Sequence, residues 1–262
     1  MQNHPVIELK NLSVGYKDRR GDAAVISGID ASLHSGELTC LLGQNGAGKS
    51  TLLRTLCGFQ PALTGEVMVF GRSISDYSEG DLSKIIGVVL TDRVQLNNVS
   101  VRQVVEMGRS PYTGFWGRLS AEDRTLVEEA MELVGITALQ NKMMNSISDG
   151  ERQKTMIAKA LAQCTPVIIL DEPSAYLDYP SKADLMRLLA ELAHDKDKMI
   201  FQSTHDLDIA LQTSDKIWLL DREKGLTIGT PASLSDNGEF NRYFDRNGLT
   251  FRPEGKRFEV VV

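Results

Sequence analysis

Residues 43–50 read Gly43-Gln44-Asn45-Gly46-Ala47-Gly48-Lys49-Ser50, a fit to G-x-x-x-x-G-K-[ST]. Glycines at this spacing let consecutive backbone N–H groups turn inward around phosphate oxygens. A helix starting at Lys49 aims its partial positive charge at the same place. The pattern implies a bound nucleoside triphosphate, with Lys49 bridging its β- and γ-phosphates and the Ser50 hydroxyl on Mg²⁺. Thr51 belongs to the same nucleotide-binding stretch. A plain glycine turn needs neither the lysine nor a strand before it and a helix after it.

A second group of reactive residues lies further along. Val167-Ile168-Ile169-Leu170-Asp171-Glu172 ends an apolar run with two acids, and carboxylates there are costly unless they meet a cation or solvent. Asp171 is placed to hold Mg²⁺, directly or through its water. Glu172 is placed to accept a proton from, or orient, the water attacking the γ-phosphate. His205, in Ser203-Thr204-His205-Asp206, follows the next apolar run, at the strand edge where open α/β sheets bind ligands. It is expected to contact the γ-phosphate and the water.

These residues need a scaffold, and the hydrophobic pattern supplies one. Residues 6–14 alternate apolar and polar, and Leu38–Leu42 is a short apolar strand stopped by Gly43. Leu52, Leu53 and Leu56 then take helical spacing before Gly58. From about Asp81 to Gly150 helix signals dominate. Ser120-Ala121-Glu122-Asp123 and Ser148-Asp149-Gly150-Glu151 read as capped helix starts. Strands and helices alternate from Val167 to Leu220, which argues for an α/β fold with a mostly parallel sheet.

Three further segments carry a family resemblance. Ile147-Ser148-Asp149-Gly150-Glu151-Arg152-Gln153 resembles the L-S-G-G-Q signature of ATP-binding-cassette (ABC) ATPases, and Ser174-Ala175-Tyr176-Leu177-Asp178 their S-A-L-D loop with one residue inserted. Tyr16 matches their adenine-stacking aromatic. The motifs occur in family order from Tyr16 to His205. The resemblance implies a P-loop NTPase core with an N-terminal antiparallel β subdomain and a helical subdomain inserted at about 81–150. The whole cassette would span 1–239, and residues 240–262 form an extension whose role is unreadable. It also implies an ATPase with ATP and Mg²⁺ as cofactors. Two copies pair head to tail, with Ser148, Asp149, Gly150 and Glu151 of one chain meeting the γ-phosphate held by the other, and Asp178 at the dimer contact.

Val104-Val105-Glu106-Met107-Gly108-Arg109-Ser110-Pro111-Tyr112 is similar to the M-G-R-x-P-[HY] stretch of iron-siderophore, haem and cobalamin importer cassettes. This implies a cytoplasmic subunit on the inner membrane face, docked on a separate permease and served indirectly by a substrate-binding protein. Two alternatives stay open: an ABC ATPase without a membrane role, and a degenerate cassette that binds ATP as a regulatory module.

The chain departs from the family pattern twice. Thr91 occupies the position where a Mg²⁺-linked Gln is usual, with Asp92 or Gln95 as possible substitutes. Asp149 replaces the first signature glycine. At an effective dielectric near 20, two unit charges about 5 Å apart repel by roughly 3 kcal/mol. With Asp149 near where the partner's γ-phosphate would dock, and Thr91 at the Gln position, ATP-driven pairing is expected to be weaker than usual without the membrane partner.

Composition sets the outer limits. The 262 residues are 42% hydrophobic and carry 29 basic against 35 acidic side chains, net −6. That is an ordinary globular balance without a basic cluster, so no nucleic-acid partner is expected. No run approaches a membrane span, and the first eight residues lack the pattern of a secretory signal. Cys40, Cys57 and Cys164 form no metal or redox spacing and are expected to be buried free thiols.

Overall fold

Alternation turns the N-terminal segment into β1 (Ile7–Tyr16), whose Ile7, Leu9, Leu12 and Val14 are buried. The computed structural model describes residues 5–17, 23–90, 96, 98–114, 116–244, 249–253 and 257–260. They fall into two units, Met1–Asp76 with Leu189–Val262, and Tyr77–Leu188.

In the first unit β2 (Ala23–Leu33) pairs antiparallel with β1. β3 (Leu38–Gly43) is buried along its whole length, and α1 (Lys49–Leu56) follows it. β4 (Thr64–Val69) and β5 (Arg72–Ser73) complete an antiparallel sheet of order β2-β1-β4-β5. This is the N-terminal β layer that the resemblance implies.

The second unit contains α2 (Glu79–Leu82), β6 (Ile86–Val89), α3 (Val101–Glu106), α4 (Ala121–Leu133), α5 (Asp149–Ala162) and β7 (Val167–Asp171). The boundary falls within α6 (Tyr179–His194). β6 and β7 run parallel, from Ile86 opposite Val167 to Val89 opposite Leu170. The unit therefore holds a parallel strand pair as well as helices. Capping boxes open α3 at Ser100, α4 at Ser120 and α5 at Ser148. Each satisfies N–H groups that the first helical turn cannot.

The chain then returns to the first unit with β8 (Met199–Ser203), α7 (Leu207–Thr213), β9 (Lys216–Asp221) and β10 (Gly225–Gly229). β3 is parallel to both β8 and β9, so it is the central strand of this layer. Buried Phe201 and Trp218 from those neighbours meet edge to face at 4.9 Å.

α8 (Pro231–Asp236), α9 (Glu239–Phe244), β11 (Leu249–Arg252) and β12 (Arg257–Val260) end the described chain. The segment beyond Phe240 is therefore a folded element. The Phe251 ring packs on Phe240 at 4.8 Å and on Phe258 at 5.1 Å. The Asn241 amide donates to the Phe251 carbonyl at 3.2 Å and accepts its N–H at 2.6 Å, standing in for a strand. The Tyr243 and Thr227 hydroxyls, 2.9 Å apart, tie α9 to β10.

One sequence expectation is corrected. Cys40 and Cys57 are buried, but Cys164 is exposed. α5 ends at Ala162 with Gln163 as its cap, and Cys164 turns to φ 56°, leaving the apolar stripe it was assigned to.

Asp123 generates a pH prediction. Its Oδ2 accepts from the Ser120 amide and hydroxyl, both at 2.8 Å, and its Oδ1 from Arg109. The Ser120 amide foremost, then Arg109, hold its carboxyl down to about 2, from an ordinary 3.8. A carboxylate depressed in this way stabilises the fold above its unfolded pKa, and the contribution is lost as pH falls from about 4 to about 2. The stability gap between the parent and Asp123→Asn, followed by thermal unfolding, should be open at neutral pH and closed near pH 2. A pH-independent gap would contradict this assignment.

Candidate active site

The phosphate loop is built by a buried strand handing over to a helix. β3 ends at Gly43, where a Cβ would strike the Leu220 carbonyl oxygen of β9. Gly48, the residue before α1, sits at φ 104°, and a Cβ there would lie 2.5 Å from the Val25 methyl. Only glycine suits both the conformation and the space. Between them the Ala47 amide closes a turn on the Gln44 carbonyl at 3.1 Å, leaving Asn45 and Gly46 exposed.

Positive charge is concentrated here. Lys49 is buried, and its Nζ donates to the Gly43 carbonyl at 2.8 Å and to that of Gln44 at 3.4 Å. α1 has no acidic residue in its first turn, so its dipole is not offset there. Ser50 is exposed at the helix start and Thr51 is buried behind it. An anion with several oxygens matches this arrangement.

Two expected residues of the same unit frame the loop. The Tyr16 hydroxyl lies 3.1 Å from the Thr51 hydroxyl, anchoring its ring to α1 while the residue stays 57% exposed. An exposed, anchored ring is a stacking platform. His205 is also exposed. Its neighbour Thr204 is buried and donates its N–H to the Leu41 carbonyl of β3 at 3.2 Å, so His205 sits beside the strand that launches the loop.

Sequence reasoning missed Arg222. Its Nε donates to the Gly46 carbonyl at 2.6 Å. It belongs to the β9–β10 turn, whose residues 221–223 border a recess of about 270 Å³ with loop residues 44–47. No spacing rule connects positions 176 residues apart in sequence.

The second unit carries the acids. Asp171 is buried at the end of the fully buried β7, and Glu172 is half-buried. Glu172 has φ 49°, a left-handed conformation that costs a non-glycine residue on the order of 1 kcal/mol. Its carbonyl accepts the Ala175 N–H at 3.2 Å, so the turn leading to buried Ser174 holds it there.

The signature residues lie on the first turn of α5. Ser148 accepts the Glu151 N–H at 3.3 Å and donates its own N–H to Glu151 Oε2 at 2.8 Å. That bond foremost holds the Glu151 carboxyl below its ordinary value. Asp149 is exposed, but Arg152 donates to its Oδ1 at 2.7 Å, so the replacement acid is paired within its own helix. A Cβ on Gly150 would lie 3.1 Å from the Tyr176 carbonyl, so the helix start packs against the 174–178 loop. Asp178 is exposed and accepts the Ser181 N–H at 3.1 Å, which makes it the cap of α6; the Ser181 side chain foremost, then that N–H, hold its carboxyl below its ordinary value.

Thr91, Asp92 and Gln95 lie outside the described residues. No group of three or more metal-ligating side chains occurs among the described residues, and none of their helices is long and apolar enough to cross a membrane.

Comparison with known proteins identifies the family. The ABC transporter family profile matches residues 26–175. An uncharacterised ABC transporter ATP-binding protein of Methanocaldococcus jannaschii is 40% identical over 255 residues, 97% of this chain and 87% of that protein. The ferric enterobactin transport ATP-binding protein of Escherichia coli K12 is 32% identical over 225 residues, 86% of this chain and 82% of that protein. Among solved structures, a dimeric ATP-binding cassette in a post-hydrolysis state with ADP and Pi superposes with a TM-score of 0.77 at 25% identity. That match covers 86% of this chain and 98% of the other.

The loop geometry predicts two graded effects on ATP binding, read by titration with a fluorescent ATP analogue. Gly48→Ala should weaken it more than tenfold, because strain at positive φ adds to the clash with Val25. Tyr16→Ala should weaken it by roughly 3–10-fold, the value of one aromatic stacking contact. Unchanged affinity in either variant would contradict the corresponding role.

Proposed function

The chain belongs to the ABC transporter family and is an ATPase, and from that premise we propose that it powers import of a metal chelate through a separate membrane permease. Two observations support the cargo class: the ferric enterobactin relative, and the Met107–Tyr112 stretch similar to such importers. A substrate-binding protein would deliver the chelate outside, and this subunit would work at the inner face of the cell membrane. The cassette proper spans 1–239, with its helical subdomain at about 81–150 and an extension at 240–262.

In the proposed cycle the 43–51 loop holds the triphosphate, Lys49 bridges the β- and γ-phosphates and Tyr16 stacks on adenine. Mg²⁺, when bound, neutralises phosphate charge. The Ser50 hydroxyl and the Asp171 carboxylate offer the hard oxygen donors it prefers, with Thr91 as a third. Glu172 takes the proton of the attacking water, and His205 contacts the γ-phosphate and orients that water. Ser148, Asp149, Gly150 and Glu151 of a second copy close over the nucleotide, using the start of α5 as a positive end. Asp178 lies at the contact between the copies. Closure assembles the reaction centre and hydrolysis releases it, which converts bond cleavage into a push on the permease.

The observation that carries the hydrolytic reading is Glu172 itself: a carboxylate held at φ 49° at the end of a buried strand, directly after a buried aspartate. Glu172→Gln should lower steady-state ATPase activity by roughly 10²–10⁴-fold while ATP binding persists. Equal turnover in parent and variant would sink the proposal in favour of an ATP-binding regulatory module.

Asp149 supplies a second test. Removing a carboxylate from the face that receives the partner's γ-phosphate should strengthen pairing, by an amount reduced by the Arg152 contact. In a Glu172→Gln background, Asp149→Gly is expected to lower the ATP concentration for half-maximal dimerisation several-fold. Equal or weaker dimerisation, measured by sedimentation, would refute the electrostatic argument.

A further inference from the structure

We infer that Arg109 and Tyr112 are positioning residues for the signature: they clamp the far end of α5, the helix whose first turn carries Ser148–Glu151. The inference rests on the proposed reading that those four residues contact the nucleotide held by a second copy.

Resemblance made the Met107–Tyr112 stretch a marker of the importer class, but the structure buries its arginine. Arg109 is 7% exposed, which leaves its guanidinium little surface to offer a partner. Its Nε donates to Asp123 Oδ1 and its Nη1 to the Ala162 carbonyl, both at 2.8 Å. The Tyr112 ring covers the guanidinium at 4.1 Å, and the Tyr112 hydroxyl donates to the Gln163 carbonyl at 3.0 Å. Gly108 packs backbone to backbone on the same helix end, since a Cβ there would strike the Lys159 carbonyl oxygen.

Three near-consecutive residues, 108, 109 and 112, thus meet α5 at Lys159, Ala162 and Gln163. Ala162 is among the last four helical residues, whose carbonyls lack partners inside a helix. A cation at that end also matches the negative pole of the helix. Gln163 extends the fixation, because its side-chain amide donates to the Ile86 carbonyl of β6 at 3.2 Å and also to that of Ser83.

Leverage makes this clamp matter for the reaction. α5 has 14 residues, and at 1.5 Å per residue it is a rod of about 21 Å. A tilt of about 10° at the clamped end moves the other end by roughly 3–4 Å, more than a hydrogen bond tolerates. In sequence the buried arginine is preceded by Met107, 42% exposed, and Tyr112 beside its guanidinium is 41% exposed. A partner touching that exposed edge would bear on the clamp, and through α5 on the signature.

The test uses the full chain in a Glu172→Gln background, with two mild variants. Arg109→Lys keeps the charge but loses the fork, and Tyr112→Phe removes one hydroxyl and keeps the ring. ATP-driven dimerisation is followed by sedimentation, and nucleotide binding to the monomer with a fluorescent ATP analogue. The ATP concentration for half-dimerisation should rise by roughly 5–10-fold in Arg109→Lys and roughly 2–4-fold in Tyr112→Phe, with monomer affinity unchanged within about twofold. That split separates positioning from a general loss of structure. If Arg109→Lys does not fold, Tyr112→Phe decides the matter alone. Unchanged dimerisation, or a monomer affinity that falls by the same factor, overturns the inference. Ser148→Arg is the control for the underlying reading and should abolish dimerisation. If it dimerises like the parent, the trans contact falls and the clamp with it. If it fails to dimerise while the clamp variants behave like the parent, only the clamp is refuted.

Discussion

Positive charge stored at the end of β3 is the constraint around which the molecule is organised. A buried ammonium and an unneutralised helix start are costly to hold together in a low-dielectric region. Backbone carbonyls of Gly43 and Gln44 offset part of that cost by accepting from Lys49. The rest of the design keeps the arrangement rigid and open to an anion: a strand buried between two parallel neighbours, a glycine against Leu220 where no side chain fits, and a glycine at φ 104° before the helix. Arg222, reaching back from the β9–β10 turn, pins the loop's exposed middle. A triphosphate brings negative charge to that same place, where the loop backbone and the helix start already face it.

Negative charge is handled differently. Asp171 is buried at a strand end and Glu172 is twisted into a left-handed conformation beside it. The left-handed backbone at Glu172 is a local cost of the kind that clusters at functional sites. Asp123, Glu151 and Asp178 are acids at helix starts. Each accepts an N–H at the start of a helix, and each is held below its ordinary value, Asp123 and Glu151 chiefly by that N–H and Asp178 chiefly by the Ser181 side chain. For Asp178 the two roles coincide: capping α6 fixes the carboxylate that the family resemblance places at the dimer contact.

What could be read from sequence follows the range of the interaction responsible. Capping boxes at Ser120 and Ser148 span four residues and the phosphate loop spans eight, so the pattern contains the physics. The strand–helix alternation after Val167 was legible for the same reason. Interactions between distant segments were not. Nothing near Arg222 announces Gly46, and nothing near Arg109 announces the end of a helix 53 residues away. The C-terminal segment looked like a mixture of charges and aromatics because its order comes from ring contacts closed only in three dimensions. Cys164 failed for a local reason: helical periodicity was extended two residues beyond the helix.

The signature helix shows how these ranges combine. Its start is set locally, by Ser148 and Glu151 exchanging hydrogen bonds, and its unusual carboxylate is answered one turn along by Arg152. Its far end is set by contacts from residues 108–112. A helix fixed at both ends transmits displacement instead of absorbing it, and that makes a family marker in sequence into a mechanical part in structure. The arginine of the marker stretch is then required by the helix end it serves, whatever meets the exposed residues beside it.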